Sequence, residues 1–522
     1  MKFIKLIALG LAFLPGLSAC ANVLTWTGGG ADAYWGDSTN WDGTNVPANG
    51  DTLIFLGTSN LTTTNNLSNL ILNQIHFGDA TAGIFLRGNA FTLTNGIIAT
   101  NATGFDDSIE TDVALPTNDI TVCETSGCSL TWSGVISGPG GMVLSGAGTN
   151  TFSGTSSNTY AGTITVNGGT LLLNKSSAVS LPSKLIINSP GVVRLGDDFQ
   201  TANSVDILVN SGGLLDFSTH IAFIDTVRGS GTVNFGVGAW AYVGVNNGSG
   251  QFDGAFTGIG FATGFTVGKT GSGTLTLTGT NTFTTGNMHV LEGTLIINGS
   301  QPLIPLTVDP DTTLGGTGLV GKITGFGNIA PGNGPGILNS SNAILSSFGS
   351  FSAVINGTNL GTGYNQLNVA GLVVLNNAAL QITAGAAGAV GSQYTLINND
   401  GADAVVGTFA GAPEGSAVIA NNGTHFTVSY HGGTGNDVVL TQTNLPPPPV
   451  LTGIQKLPGG AFQLTGSGIT NQPYIVWATT NLTKTNWMNL GTATAPANTN
   501  VFQFTDAGAT NYHRRFYRFS WP

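Results

Sequence analysis

The chain has 522 residues, of which only 7% are charged and 79 are glycine, and its formal net charge is −11. Long helices draw on Ala, Leu, Glu, Lys and Arg, and no stretch keeps a 3.6-residue apolar period. Nucleic acids and anionic membrane surfaces need dense Lys and Arg, so the acidic balance excludes them as partners. A hydrophobic content of 41% can form a large core, which excludes disorder and predicts an all-β protein.

Residues 1–21 are predicted to be a signal peptide. Two lysines precede an apolar run from Leu6 to Leu14, which is too short to span a bilayer as a helix. The end of the segment fits two routes: Ala19-Cys20-Ala21 matches ordinary cleavage, and the stretch from Leu17 to Cys20 resembles the bacterial lipobox. Cys20 is therefore a lipidation candidate, and a lipid there would be the membrane attachment of the chain.

Three tryptophans, Trp26, Trp35 and Trp41, open the sequence after the signal. Two interpretations are open. The terminal unit of a stacked β core must close off its exposed end, which large apolar rings can do. Aromatic rings on a surface can instead stack on sugars. We expect the capping role and keep the three residues as glycan-contact candidates.

Cys123 and Cys128 are the cysteines that remain if Cys20 is removed or lipidated. A close, even pair in an exported protein predicts a small-loop disulfide, with two free thiols at a turn as the alternative.

The clearest internal repeat lies at 268–298. Residues Thr274 to Thr278 alternate small polar and apolar side chains, as in a half-buried strand. An Asn-Thr-Phe turn and a Gly-Thr-Leu strand follow, and the same order recurs less regularly at 138–174. The spacing of strand-starting glycines is close to one or two multiples of about 21 residues, which predicts a solenoid of stacked parallel coils. These glycines are Gly169, Gly213, Gly231, Gly273, Gly293 and Gly318.

The two segments resemble the autotransporter-associated β-strand repeat, the passenger motif of exported β-helix proteins such as those of Verrucomicrobia-like bacteria. The resemblance extends over 22–441, where later stretches such as Ile329 to Gly336 are also similar to these proteins. It implies a right-handed parallel β-helix with the pectin-lyase-like fold, exported to the cell surface, the outer membrane or the medium. No C-terminal barrel pattern follows, which departs from a self-translocating autotransporter.

Residues 442–449 are predicted to be a stiff proline-rich linker, and the charge changes sign there. Residues 450–522 contain short strand-like runs typical of a small β-sandwich. The basic aromatic run 514–518 is expected to be an edge strand whose arginines prevent edge pairing. Its alternative is a patch that binds an anionic glycan or a sorting factor.

Enzymes on this fold cleave polysaccharides with clustered carboxylates. The acidic pairs are Asp106 with Asp107 and Asp197 with Asp198, and we expect both to lie in solvated loops because no matching basic element accompanies them. One copy of a calcium-binding nonapeptide makes Asp437 a weak Ca²⁺ candidate, although such sites need consecutive copies. No catalytic residue, cofactor or other metal ligand is predicted.

These observations predict an exported, non-catalytic β-solenoid that acts as a cell-surface structural or adhesive scaffold. Its expected partners are extracellular polysaccharide or other surface proteins. The alternatives are a polysaccharide-cleaving lyase or hydrolase that uses one of the aspartate pairs, and a glycan-binding surface module.

Overall fold

The computed structural model describes residues 21–521 except 57, 79–81, 102–104, 126, 333, 402, 444–448 and 484–485. Residues 1–20 of the predicted signal, which include Cys20, and most of the predicted linker lie outside the described residues. The described chain divides into two compact units, the first ending at Ile224 with Gly231–Asn234 added, and the second formed by Asp225–Ser230 and the chain from Phe235 onward. Helical structure in the described ranges is confined to three short 3-10 helices: Ser38–Asn40, Asp42–Thr44 and Ala507–Asn511.

The first unit is built from short strands that pair in parallel with the equivalent strand one coil away. One stack contains Val23–Trp26, Thr52–Phe55, Leu70–Phe77, Phe91–Ala99, Val113–Ala114, Ile120–Glu124, Ile136–Ser137, Met142–Gly146, Ile164–Val166, Leu185–Ile187 and Asp206–Val209. A second stack contains Thr62–Asn65, Phe85–Gly88, Asp106–Ile109, Ser129–Trp132, Thr149–Phe152, Thr170–Leu173, Val192–Leu195, Leu214–Asp216 and the start of Thr232–Val237. Ile221–Ile224 is a further strand of this unit and belongs to neither of these two stacks.

The second unit continues the same construction with three stacks. The first contains Thr226–Gly229, Gly250–Phe252, Thr274–Leu277, Thr294–Ile297, Thr313–Gly316, Asn328–Pro331, Ser350–Ile355 and Ala379–Ala384. The second contains Trp240–Val243, Phe265–Lys269, Asn287–Val290, Leu306–Val308, Ile323–Gly325, Ala343–Leu345 and Val373–Val374. The third contains Ser300–Gln301, Leu319–Val320, Ile337–Ser340, Gln366–Val369 and Gln393–Asn399, to which Asp437–Thr443, His425–Gly432 and Ala417–Ile419 add in antiparallel. Ala255–Gly260 is a further strand of this unit.

The coils are held together by apolar side chains that stack in register. Leu171 pairs with Val193 and Val193 pairs with Leu215, and all three are buried because alternate residues of each strand face inward. The described chain contains about 13 such turns, which confirms the predicted parallel β-solenoid.

The predicted 21-residue increment is only an average. Leu295 pairs with Leu314, 19 residues on, whereas Phe351 pairs with Leu380, 29 residues on. Loops at the corners absorb these differences in length.

The glycine series also crosses stacks. Gly169, Gly213 and Gly231 precede strands of the second stack of the first unit, whereas Gly273 and Gly293 precede strands of the first stack of the second unit. Gly318 precedes the strand Leu319–Val320 of the third stack of that unit.

The C-terminal part is antiparallel. Within the described residues, Val450–Lys456, Phe462–Ser467 and Val501–Asp506 form one three-stranded sheet, and Met488–Thr494, Pro473–Thr479 and Phe516–Ser520 form another. Side chains from both sheets share one core that includes Leu464, Phe502, Tyr474 and Phe519. Two sheets around a common core are a small β-sandwich.

Candidate functional site

The three N-terminal tryptophans lie inside the first coils. Trp26, Trp35 and Trp41 are 1%, 0% and 2% exposed, and the Trp26 and Trp41 rings meet edge to face with centroids 5.0 Å apart. The Trp35 indole N–H donates to Thr63 Oγ1 at 2.9 Å, and that of Trp41 donates to the Trp35 carbonyl at 2.9 Å. The glycan-contact interpretation is wrong, because buried rings cannot stack on a sugar. The burial agrees with the expected capping role.

The Asn-Thr-aromatic turn of the first repeat joins consecutive coils. The Asn158 side chain is buried, and its Oδ1 accepts the backbone N–H of Ile136 at 3.0 Å. Its Nδ2 donates to the Ser180 carbonyl at 3.0 Å, so one amide bridges the coil before and the coil after. Tyr160 fills the adjacent interior.

The second repeat keeps the accepting half of this arrangement, whereas the buried Nδ2 of Asn281 has no hydrogen-bond partner among the described residues. Asn281 Oδ1 accepts the backbone N–H of Phe256 at 2.9 Å, and Phe283 is buried as Tyr160 is. The sequence signature therefore has a structural cause: a buried amide satisfies a backbone donor where the coil turns, and the aromatic ring two positions later fills the corner.

Replacing Asn158 by Ala is expected to destabilise the chain by about 2 kcal/mol, because the buried backbone N–H of Ile136 loses its acceptor and the Ser180 carbonyl keeps only the Tyr160 hydroxyl as a donor. The midpoint of urea unfolding measures this. The neighbouring Thr159 is exposed, so Thr159→Ala is the matched control. Equal midpoints for the two variants would contradict the bridging role.

The predicted pair Asp106 and Asp107 is split by the strand. Asp106 is exposed, whereas Asp107 is 1% exposed and accepts the backbone N–H of Ile84 at 3.0 Å and the side-chain amide of Asn101. Burial raises the pKa of Asp107 to about 7. Two carboxylates on opposite faces of a strand cannot act together on one substrate, so the expectation of a solvated pair fails for Asp107.

Sequence reasoning missed Glu124, which is also 1% exposed. Burial, and next the charge of Asp107, raise the pKa of Glu124 to about 8. Both of its carboxylate oxygens lack a hydrogen-bond partner among the described residues. The interior of the first unit thus holds two neighbouring acids that favour the protonated form.

The second predicted pair belongs to a turn. Asp197 Oδ1 accepts the backbone N–H of Asp198 at 2.8 Å. Asp198 Oδ1 accepts the backbone N–H of Ile221 at 3.0 Å and lies 3.2 Å from Nδ1 of His220. These contacts connect one coil to the next.

Two lysines that look like solvent-facing residues in the sequence are buried. Lys269 Nζ donates to the carbonyls of Thr270, Gly271 and Glu292 at 2.6, 2.8 and 3.2 Å. Burial lowers its pKa to about 8. Lys175 Nζ likewise donates to backbone carbonyls. Both ammonium groups donate to backbone carbonyls where the coils turn. This role depends on the pairing between coils and is not visible in the sequence.

The disulfide predicted for Cys123 and Cys128 is not formed, and both are free thiols. Cys123 is exposed on a strand whose alternate residues face inward. Cys128 is buried, and its thiol donates to the Asn101 carbonyl at 3.1 Å. The two side chains therefore lie on different sides of the coil wall.

We expect an alkylating reagent to label Cys123 in the native protein and Cys128 only after unfolding. Peptide mapping by mass spectrometry identifies which cysteine reacts. Labelling of both residues only after addition of a reductant would show a disulfide instead.

Asp437, the weak calcium candidate, serves a turn. Its two oxygens accept the backbone N–H groups of Asn399 at 2.9 Å and Thr434 at 3.2 Å. Among the described residues, no group of three or more His, Cys, Asp or Glu side chains is arranged to hold a metal ion.

The basic C-terminal strand also has internal partners. Arg515 Nη1 pairs with Asp506 Oδ2 at 2.5 Å, with both side chains 5% exposed. The Arg518 guanidinium lies 4.4 Å from the ring centre of Trp487. The strand Phe516–Ser520 pairs on one side with Pro473–Thr479 and lies at the sheet edge, as expected, and Arg515 is not free to bind an anionic glycan.

Stacked parallel coils with packed interiors define a β-solenoid repeat protein. The family model of the passenger-associated-transport-repeat matches this chain twice, at residues 142–173 and 268–297, within the two predicted repeats. Over these two segments the chain is similar to autotransporter passenger-type β-helix repeat proteins, and repeats of this kind imply a secreted or surface-exposed protein. A search of curated proteins gives no match. In the part of the chain that the structure describes, no helix has the length and apolar character needed to cross a membrane.

Proposed function

We propose that the protein is an exported, non-catalytic β-solenoid that serves at the cell surface as a structural or adhesive scaffold. The observation that carries the proposal is the division between the inside and outside of the coils. Leu275, Leu295 and Leu314 stack inside in register and are buried. The residues before them, Thr274, Thr294 and Thr313, form a hydroxyl-bearing row outside. Interactions with other molecules are therefore a property of the outer faces.

Some outer turns of the first unit are joined by uncharged polar contacts. Asn188 donates to Asn167 Oδ1 at 2.7 Å, and Asn210 donates to Asn188 Oδ1 at 2.6 Å. Amide ladders of this kind do not depend on ionic strength, unlike surface ion pairs. Contacts of this kind suit a scaffold that works outside the cell.

Brief proteolysis of intact cells, followed by identification of the released peptides, tests the location. We expect peptides from residues 22–441 in the supernatant, with a cytoplasmic protein as the control for lysis. Peptides found only after lysis would refute a surface location. A strain that lacks the protein should attach less well to surfaces or to other cells.

The absence of catalysis is tested separately. The purified chain is incubated with neutral and acidic polysaccharides, and new reducing ends or unsaturated products are measured. We expect none. Turnover that is lost in Asp107→Asn or Asp198→Asn would favour the enzyme alternative and overturn the scaffold.

A further inference from the structure

Four aromatic side chains cluster on the outside of one stack of the second unit. Trp240, Tyr242, Phe265 and His289 lie on successive strands whose inward residues, such as Val267, are buried. Ring centroids are 5.3 Å apart for Trp240 and Tyr242, 5.2 Å for Tyr242 and Phe265, and 6.1 Å for Phe265 and His289. We call these four residues the aromatic stripe.

A glycine makes this arrangement possible. Gly268 pairs in register with Tyr242 on one side and His289 on the other, so it occupies an outward rung between them. A Cβ atom at Gly268 would lie 2.9 Å from Cε2 of Phe265 and 3.0 Å from Cδ1 of Tyr242. The missing side chain lets the Phe265 ring lie over the sheet between its neighbours.

A groove of about 420 Å³ adjoins the stripe, with Thr263, Phe265, Asn287, His289 and Pro305 among its lining residues. This volume lies within the roughly 300–1,000 Å³ that ligand sites occupy. It combines an aromatic wall with a few hydrogen-bonding groups, which is the composition of a site for a small polar ligand or a polymer segment.

Two polar side chains in the groove are positioned for hydroxyl groups. His289 Nε2 lies 2.7 Å from Asp309 Oδ1, which fixes the orientation of the imidazole. Asn287 Nδ2 donates to Thr307 Oγ1 at 3.4 Å, while its Oδ1 is buried without a hydrogen-bond partner in the described chain. A side-chain amide carries two N–H donors, and Asn287 lines the groove, so the second N–H is the group that a ligand hydroxyl can meet.

The charge of the groove favours a neutral ligand over an anionic one. No lining residue of the groove is Lys or Arg, and the nearby Asp309 carboxylate repels anions. Nucleic acids and acidic glycans are therefore disfavoured. The polar row continues from His289 to Thr307 and Thr324 on the next coils, which suits a chain of hydroxyl groups better than an apolar protein surface.

We propose that the aromatic stripe and its groove bind a segment of a neutral polysaccharide, with sugar faces against the rings and hydroxyls at Asn287 and His289. The proposal deepens the proposed adhesive function by naming a ligand class. The proposal rests on that function only in assuming that the protein meets the polysaccharide outside the cell. Binding itself is measured on the purified chain and does not depend on the location of the protein.

Affinity electrophoresis of the full purified chain tests the proposal, with gels that contain xylan, mixed-linkage β-glucan, mannan or galactan. Alginate and polygalacturonate are the acidic comparisons. We expect retardation by at least one neutral polysaccharide and a tenfold or greater loss of affinity in Phe265→Ala. Asn287→Ala leaves all four rings in place and should also lose affinity. This second variant keeps the proposal testable if Phe265→Ala does not fold.

Phe348→Ala is the matched control, since Phe348 is 80% exposed elsewhere in the same unit. Unchanged affinity in this variant supports the assignment. Absence of retardation by every neutral polysaccharide, stronger retardation by the acidic ones, or binding that survives both site variants would overturn it. Self-association that Phe265→Ala abolishes would also overturn it, by assigning the stripe to a second copy of the chain. None of these results bears on the surface location, which the proteolysis of intact cells tests separately.

Discussion

Glu124→Gln is expected to be more stable than the parent protein at pH 8 and equally stable at pH 4. The pKa of Glu124 is raised from 4.5 to about 8 by burial and then by Asp107. The folded state therefore keeps a proton that the unfolded state releases, and stability falls as pH rises between these values. A glutamine is neutral throughout, so the variant avoids this loss.

The expected gain in the free energy of unfolding at pH 8 is on the order of 3 kcal/mol. Each unit of pKa difference corresponds to about 1.4 kcal/mol, and the gain is smaller than the whole shift of Glu124 because Glu124 and Asp107 titrate as a coupled pair. Urea unfolding at pH 4, 6 and 8 measures it. Asp311→Asn is the control, because Asp311 is exposed and Asn tolerates its positive φ of 63°. A parent protein whose stability does not fall above pH 5 would contradict the buried, protonated state of Glu124.

The solenoid could be predicted from sequence because its cause is local. A strand of the type Thr-Leu-Ile-Ile at 294–297 alternates inward and outward residues, and every coil repeats that choice. The Asn-Thr-aromatic turn was visible for the same reason, although the coil-bridging bonds of Asn158 were not. Local pattern determines which face a strand buries.

Side-chain roles that depend on the register between coils could not be predicted. Asp106 and Asp107 look alike in sequence, and only the strand direction places one inside and the other outside. Lys269 lies in the clearest repeat but is buried at a corner by carbonyls up to 23 residues away. The aromatic stripe combines Tyr242, Phe265 and His289, whose proximity follows from coil lengths that vary.

Trp35→Ala is expected to destabilise the first unit by about 3–5 kcal/mol, because it removes a large, fully buried ring and leaves a cavity. The loss also removes the partner of Thr63 Oγ1 and the ring that contacts Trp41 and Phe55. In a stacked repeat, each coil is stabilised by its neighbours, so the damage should begin at the N-terminal coils.

Limited proteolysis and urea unfolding measure this effect, with early cleavage expected near residues 22–60. Tyr34→Ala is the control, since the adjacent Tyr34 is 47% exposed and its loss should change the unfolding midpoint little. Trp35→Ala could instead unfold like the parent and lose sugar binding. That result would mean that the tryptophan rings leave the core to contact a sugar, and it would contradict the capping role. Of the two side chains, only that of Trp35 fills interior volume between the coils. Equal destabilisation of both variants would therefore assign the effect to the loop and not to the buried ring.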